Sequence, residues 1–151
     1  MKKIILYTLL SVSSFAYQKG DTVDIALQKQ LHMVKDKIYI IDFFASWCSS
    51  CKKEIPLISK VNKKIDPTHV EIIGIDVDKD NEKAMAFQKK LRLKEKLNFR
   101  VVNDPKNIIV SKFNPIGMPA LYYVKEGKVV DIIYGAVDNI DQKIILDMEK
   151  L

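Results

Sequence analysis

The sequence predicts an α/β domain with a mixed central sheet and helices on both faces. Three observations lead there. Lys37–Phe44 and Val70–Val77 are nearly continuous apolar runs, rich in β-branched and aromatic residues, as in strands buried on both sides. The segments after them change to a three-to-four-residue apolar period, the mark of amphipathic helices. Near the end, Ala120–Val124 and Lys128–Tyr134 flank Lys125-Glu126-Gly127, which reads as a hairpin turn between antiparallel strands.

Each element follows from the same rules. Lys37–Phe44 is the first strong strand. From Ser49 to Ile65, Cys51, Ile55, Ile58, Val61 or Asn62, and Ile65 fall on one helical face. Pro56 lies inside that helix, where it removes a hydrogen bond to the Lys52 carbonyl and predicts a kink. Val70–Val77 is the second strand. Asn81 to about Leu93 is an amphipathic helix with Ala84, Phe87 and Leu91 on one stripe. A short strand is expected at Asn98–Val102 and a short helix at Lys106–Phe113. After the hairpin, Asp138 is expected to cap a last helix whose Ile140, Ile144, Met148 and Leu151 share a face. The order is βαβαβαββα, with no repeat and no linker long enough to divide domains. Residues 17–36 read as an N-terminal extension, a loop with a short helix near Ile25–Val34, and 37–151 as the domain proper.

Composition bounds the function. The chain has 151 residues, 48% of them hydrophobic, enough for one core. Lys and Arg number 25 against 19 Asp and Glu, a formal charge of +6 without any long basic block, so nothing calls for nucleic acid. Five Gly and five Pro exclude low-complexity architecture, and two cysteines exclude a disulfide-dense scaffold. Met85, Met148 and the lysine-rich helix faces read as core contacts and solvated surface.

The first residues carry a targeting pattern. Met1-Lys2-Lys3 is a short positive start, Ile4–Ala16 has no charge, and Ser14-Phe15-Ala16 supplies small residues at the positions a signal peptidase reads. Residues 1–16 are therefore expected to be a signal peptide. An uncleaved membrane anchor and a buried N-terminal element are the alternatives. The absence of a cysteine near the segment's end excludes a lipoprotein anchor. The expected location is the periplasm or its equivalent, where disulfides form and persist.

The chemistry centres on Trp47-Cys48-Ser49-Ser50-Cys51, between the first strong strand and its helix. Cys48 falls at the helix N-terminus, where unpaired N–H groups favour a thiolate. Such settings lower a thiol pKa from about 8.5 to roughly 3.5–7.5. Cys51 is one turn on, on the apolar face, and should react second: one thiolate attacks a foreign disulfide and the other resolves the mixed intermediate. A structural disulfide would close only a small loop and restrict the unfolded chain by about 2 kcal/mol, little for its kind. A zinc site would need further ligands, and His32 and His69 are isolated. Trp47, beside the nucleophile, is read as a substrate contact, with a core position as the alternative. Asp42 is the only charge between Lys37 and Lys52, inside an apolar strand. Burial would raise its pKa, which suits a group moving protons to and from Cys51. A carboxylate bonded to local backbone or water is the alternative.

The run Ile41-Asp42-Phe43-Phe44-Ala45-Ser46-Trp47-Cys48-Ser49-Ser50-Cys51-Lys52-Lys53-Glu54-Ile55-Pro56 resembles the thioredoxin active-site segment. Ile116-Gly117-Met118-Pro119-Ala120 resembles the family's second landmark, a loop whose cis-proline faces the two cysteines. The resemblance spans about Gly20 to Leu151. It implies a thioredoxin fold, a cis bond before Pro119, and a Met118 backbone free to pair with a substrate strand. The interval from Cys51 to Pro119 is longer than in minimal thioredoxins, which implies an inserted strand and helix. With the signal pattern, this is similar to the TlpA-like branch of extracytoplasmic thiol-disulfide oxidoreductases. Many of these are reductants, including those of cytochrome c maturation.

The pattern is a hybrid. Ser49-Ser50 stand between the cysteines, where other members have Gly-Pro or Pro-His, and these positions tune the redox poise. The TlpA-like branch often carries a buried acid after the second strand, and the stretch Gly74–Asp80 offers Asp76, Asp78 and Asp80. Asp42 stands where classical thioredoxins keep their buried acid. The resemblance implies a monomeric enzyme that exchanges disulfides with cell-envelope proteins, as a reductant, with the Cys48–Cys51 pair as its redox centre and no metal or organic cofactor. It would be recharged by a membrane electron donor. A periplasmic oxidant and a non-catalytic binding module are the alternatives.

Overall fold

The computed structural model describes residues 16–151. The expected signal peptide lies outside the described residues except for Ala16. In chain order the elements are α1 (Ile25–Gln30), β1 (Ile38–Phe44), α2 (Ser49–Asn62), β2 (Val70–Asp76), α3 (Asn81–Leu93), β3 (Arg100–Asn103), α4 (Ile108–Phe113), β4 (Ala120–Lys125), β5 (Lys128–Tyr134) and α5 (Ile140–Met148). Beyond α1, this is the order read from the sequence. The strands form one sheet in the order β3-β2-β1-β4-β5. β1, β2 and β3 are parallel, whereas β4 runs antiparallel to β1 and β5. The mixed sheet flanked by helices is the expected thioredoxin fold.

β1 occupies the centre, and its alternating side chains feed two cores. Ile40 and Phe44 pack in one with Cys51, Ile55 and Ile58 of α2 and Ile140 and Ile144 of α5. Tyr39, Ile41 and Phe43 pack in the other with Leu27 of α1 and Ile109 and Phe113 of α4. A strand buried on both faces needs this near-continuous apolar sequence, and the one exception, Asp42, therefore stands out. Phe113 anchors the second core with edge-on or tilted contacts to Tyr17, Phe43 and Tyr122 at 4.9–5.1 Å.

The N-terminal extension is part of this core. Tyr17, Val23, Leu27 and Leu31 are buried, and Thr22 bridges Lys128 of β5. The hairpin turn closes with Glu126 and Gly127 both at positive φ, as a two-residue primed turn requires.

Several boundaries move for identifiable reasons. β3 begins at Arg100 rather than Asn98, because the Asn98 amide donates to the Ser59 carbonyl and the Asn98 and Phe99 carbonyls accept from Asn62 and Arg92. The expected strand start is held by α2 and α3 instead of by β2. α2 runs through Pro56 to Asn62, stopping short of Ile65. α1 ends at Gln30, followed by His32 at φ 52°. Asp138 does not cap α5. Asn139 occupies that position at φ 55° with no side-chain cap bond, a left-handed conformation that asparagine tolerates.

Candidate active site

β1 runs into a tight connection that delivers Cys48 as the N-cap of α2. Cys48 has an extended backbone (φ −84°, ψ 106°), and its N–H donates to the Ala45 carbonyl at 3.1 Å. Its sulfur is bonded to Cys51 (S–S 2.09 Å, Cα–Cα 5.3 Å). The Cys51 N–H, one of the orphan donors of the first helical turn, points at Cys48 Sγ from 3.2 Å. Cys48 is 7% exposed and Cys51 1%. The order of accessibility is the one expected, although Cys48 is itself largely covered.

The connection is clamped from β2. Asp78 accepts the Ser46 N–H at 2.8 Å and its hydroxyl at 3.1 Å. Asp76 in turn accepts the Asp78 N–H at 3.0 Å and the Gln88 side-chain amide at 2.8 Å. Burial raises the Asp76 pKa, against the lowering effect of these bonds. Of the three acids at the end of β2 and just after it, Asp76 and Asp78 are buried and position the loop, while Asp80 is exposed and caps α3 through the N–H groups of Glu82 and Lys83.

Trp47 is 67% exposed, which excludes the core alternative. It lines a groove of about 670 Å³ with Ser46, Val77, Val110 and Met118. A second, adjoining hollow of about 360 Å³ shares Trp47, Asn107, Val110 and Met118. The Met118–Pro119 bond is cis, and Pro119 is buried at the start of β4, its carbonyl accepting the Gly135 N–H at 2.9 Å. Cys48, Cys51, Trp47, Met118 and Pro119 thus gather around one end of the sheet, with α4 forming the outer wall.

Asp42 lies within β1, six residues before Cys48. It is paired with Gly74 on one side and Leu121 on the other. It is 2% exposed, and its Oδ2 has no hydrogen-bond partner among the described protein groups. Loss of solvation, followed by the nearby Glu54 charge, pushes its pKa up to about 8.

Glu54 was not singled out by the sequence. It is 6% exposed on the buried side of α2, and it accepts the Val137 N–H at 2.8 Å. Burial raises its pKa and the Val137 bond opposes the rise. Its signal was available: Glu54 is three residues after Cys51 and four before Ile58, hence on the apolar face. The surrounding Lys52-Lys53 disguised it as part of a solvated run. Among the described residues, no cluster of His, Cys, Asp and Glu has the makings of a metal site.

This fold, with a cysteine pair opening its helix and a cis-proline beside it, defines a thioredoxin-fold protein with a dithiol–disulfide centre. Residues 36–129 match the thioredoxin-like family model, and the chain belongs to that family. It is 31% identical over 107 residues to the thiol-disulfide oxidoreductase ResA of Bacillus thuringiensis subsp. konkukian, covering 70% of this chain and 60% of the relative. ResA of Bacillus subtilis is 28% identical over 72% of this chain and 59% of its own. The chain therefore spans about 60% of the length of these relatives. Among solved structures, a candidate thiol:disulfide interchange protein DsbE from Chlorobium tepidum superposes with a TM-score of 0.75 at 20% identity, over 89% of this chain and 98% of that one. StoA from Bacillus subtilis superposes at 0.62 and 21% identity, over 74% and 83%. These likenesses establish the fold.

Proposed function

We propose that the protein is an extracytoplasmic thiol-disulfide oxidoreductase that reduces disulfides of cell-envelope proteins. The observation that carries this reading is the Cys48–Cys51 pair at the start of α2, next to Trp47 and the groove it lines, on a helix that follows the strand holding the buried Asp42. The relatives named thiol-disulfide oxidoreductase ResA support the reaction class. A secreted disulfide oxidoreductase of Mycobacterium tuberculosis with the same fold (TM-score 0.61) supports the location, as does the N-terminal signal pattern. Among the described residues, no helix is long and apolar enough to cross a membrane.

In the reducing direction, the Cys48 thiolate attacks one sulfur of a substrate disulfide. The other substrate sulfur leaves as a thiolate and takes a proton from solvent. Cys51 then passes its proton to the Asp42 carboxylate and attacks Cys48 Sγ. The bond between Cys48 and the substrate breaks, its electron pair leaves on the second substrate thiolate, and the Cys48–Cys51 disulfide forms. Asp42 ends protonated, in keeping with its raised pKa in the disulfide form. Two electrons have moved to the substrate, so a dithiol donor must restore the pair. We assign that task to a membrane electron carrier. The cysteine pair is the whole redox centre, needing no metal or organic cofactor, and the protein acts as a monomer. Trp47 and Met118 line the path of the substrate segment, and the Met118 backbone pairs with it.

Replacing the resolving cysteine tests the reading. Cys51→Ser should accumulate mixed disulfides with envelope proteins that a reducing agent dissolves, and the double Cys48→Ser, Cys51→Ser variant should capture nothing. Partners bearing CxxCH haem-attachment segments would point to cytochrome c maturation. A reduction potential well below about −180 mV supports a reductant, and one near about −120 mV an oxidant. If the wild type exchanges no protein disulfide, the binding-module reading holds instead.

A further inference from the structure

α3 carries apolar side chains on two faces. The inner stripe belongs to the core: Ala84 and Leu91 are buried, and the Phe87 ring packs against Phe44 with centroids 6.2 Å apart. Viewed down the helix, Met85, Ala86, Lys89, Lys90 and Leu93 fall on the opposite side, and all five are exposed. Met85 is 57% exposed and Leu93 76%. They stand about 12 Å apart, two turns along one line through Lys89. A hollow of about 410 Å³ runs between them, its walls completed by Gln88, Lys89 and Arg92. One exposed apolar residue is ordinary, but two on one stripe among lysines make the outer face amphipathic in its own right. Residues 83–96 hold six Lys and Arg against one acid, Glu95, with Glu82 just before them. Lys83 pairs with Asp80 at 3.8 Å, and Arg92 donates to the Leu97 and Phe99 carbonyls. Among the described residues, Lys89, Lys90, Lys94 and Lys96 are paired with no carboxylate.

We propose that the outer face of α3 docks on an anionic phospholipid membrane, with Met85 and Leu93 entering the headgroup layer and Lys89, Lys90 and Lys94 meeting its phosphates. Charge and shape both favour this partner. A basic helix with exposed apolar residues on the same side gains twice at such a surface, by covering apolar area and by neutralising phosphate. Lysines that no carboxylate fixes can follow a fluid array of phosphates, and the two apolar side chains need a partner that accepts them over one continuous stretch. The basic surface extends beyond α3. Ser59 and Asn62, near the end of α2, donate to the Lys96 and Asn98 carbonyls, and Lys60, Lys63 and Lys64 are exposed next to them in the sequence. The signal pattern of residues 1–16 would deliver the chain to the outer side of such a membrane. Docking also has a consequence for the groove at Trp47. Lys83, in the first turn of α3, lines that groove, so a membrane held by α3 keeps the groove close to the lipid surface. The contact does not depend on the direction of electron flow, nor on any disulfide exchange.

The chain supplies its own probes in Met1, Met33, Met85, Met118 and Met148. Full-length protein carrying ¹³C-methyl methionine is mixed with bicelles of phosphatidylcholine and phosphatidylglycerol that contain a trace of gadolinium-chelating lipid. Met85 should broaden at least fivefold more than Met33, which packs in the other core. Bicelles of phosphatidylcholine alone should produce no such difference, and high salt should abolish it. Met1 reports separately on the N-terminal segment, so a chain tethered only by that segment is told apart from one docked through α3. The triple variant Lys89→Glu, Lys90→Glu, Lys94→Glu removes side chains with no ion-pair partner, and an unchanged Met118 signal checks its fold. It should lose the Met85 effect and bind the anionic bicelles at least a hundredfold more weakly. Leu93→Ser keeps every charge and should weaken binding at least threefold. If Met85 broadens no more than Met33 on anionic bicelles, the face does not meet a membrane, and its lysines serve an acidic protein or solvent alone. A Met85 effect that survives the triple variant, or a Leu93→Ser protein that binds like the wild type, overturns the proposal as well.

Discussion

The Cys51 N–H donates toward Cys48 Sγ at 3.2 Å, so the helix itself turns a donor on the sulfur that caps it. That donor belongs to the first turn of α2, where N–H groups have no carbonyl partner and the helix end carries partial positive charge. A thiolate at Cys48 is stabilised by both. Cys51 has no such partner and sits among Ile55, Ile58 and Tyr123, which disfavour its charged form.

The first prediction follows from this asymmetry. In the reduced protein near neutral pH, a small alkylating agent should modify Cys48 faster than Cys51 by roughly tenfold or more. Peptide mapping of singly labelled protein gives the ratio. Equal labelling, or a preference for Cys51, would remove Cys48 as the nucleophile.

Gly74 yields a second prediction, on stability. A Cβ there would lie 2.7 Å from Phe44 Cε1, 3.0 Å from Phe99 Cε2 and 3.3 Å from Val101 Cγ2. Two of these atoms belong to rings packed in the core beside α2 and cannot swing away. Gly74→Ala should therefore lose about 1–3 kcal/mol of folding stability through overpacking, despite the usual preference for Ala over Gly. Urea unfolding should show a lower midpoint with an unchanged slope. A variant as stable as the wild type would mean that β2 can shift outward from Phe44.

These two sites also show what the sequence made legible. Cys48 and Cys51 announce themselves by spacing, and Asp42 by being a lone charge in a strand that must be apolar on both faces. Glu54 was legible only as a position on the apolar face of α2; the Val137 N–H that satisfies it comes from the segment between β5 and α5, far along the chain, and no local pattern forecasts that contact. Asp76 and Asp78 belong to the same class, since their burial depends on Ser46 and Gln88 across the fold. The strand and helix order was readable from hydrophobic period alone. The start of β3 and the cap of α5 were not, because side-chain bonds from Asn98 and the left-handed backbone of Asn139 decide them.

The raised Asp42 pKa carries a third prediction, for stability against pH. In the folded disulfide form Asp42 keeps its proton up to about pH 8, whereas in the unfolded chain it loses it near the ordinary value of 3.8. Between those limits the folded state binds the extra proton. Its stabilising contribution is complete below about pH 4 and is lost as pH rises through about 8, by up to about 1.4 kcal/mol per unit. Glu54 and Asp76, also raised, act in the same sense. Urea unfolding of the oxidised protein between pH 5 and pH 8 should show falling stability, and Asp42→Asn should flatten much of that slope. Equal slopes in variant and wild type would mean that Asp42 is ionised in the folded protein throughout this range.

The last prediction concerns how a protein substrate is held. Trp47 presents a large aromatic face to solvent at 67% exposure, next to the cysteine proposed to attack, and it borders both hollows together with Val110 and Met118. An exposed tryptophan that leaves its apolar area uncovered gains by covering it, and an extended substrate segment crossing from Met118 toward α4 would do so. That contact is present before and during sulfur exchange, so removing it should weaken binding more than it slows chemistry. Trp47→Ala should raise KM for a protein disulfide by about five- to thirtyfold, the equivalent of about 1–2 kcal/mol, with kcat changed far less. Trp47→Phe, which keeps an aromatic face, should recover much of the loss. A small disulfide such as oxidised glutathione spans too little of the groove to depend on Trp47, so its rate should barely change in either variant. This separates a lost substrate contact from a disturbed Cys48. If Trp47→Ala slows the small disulfide as much as the protein one, the tryptophan acts on the cysteine pair itself, and the groove is not what holds the substrate.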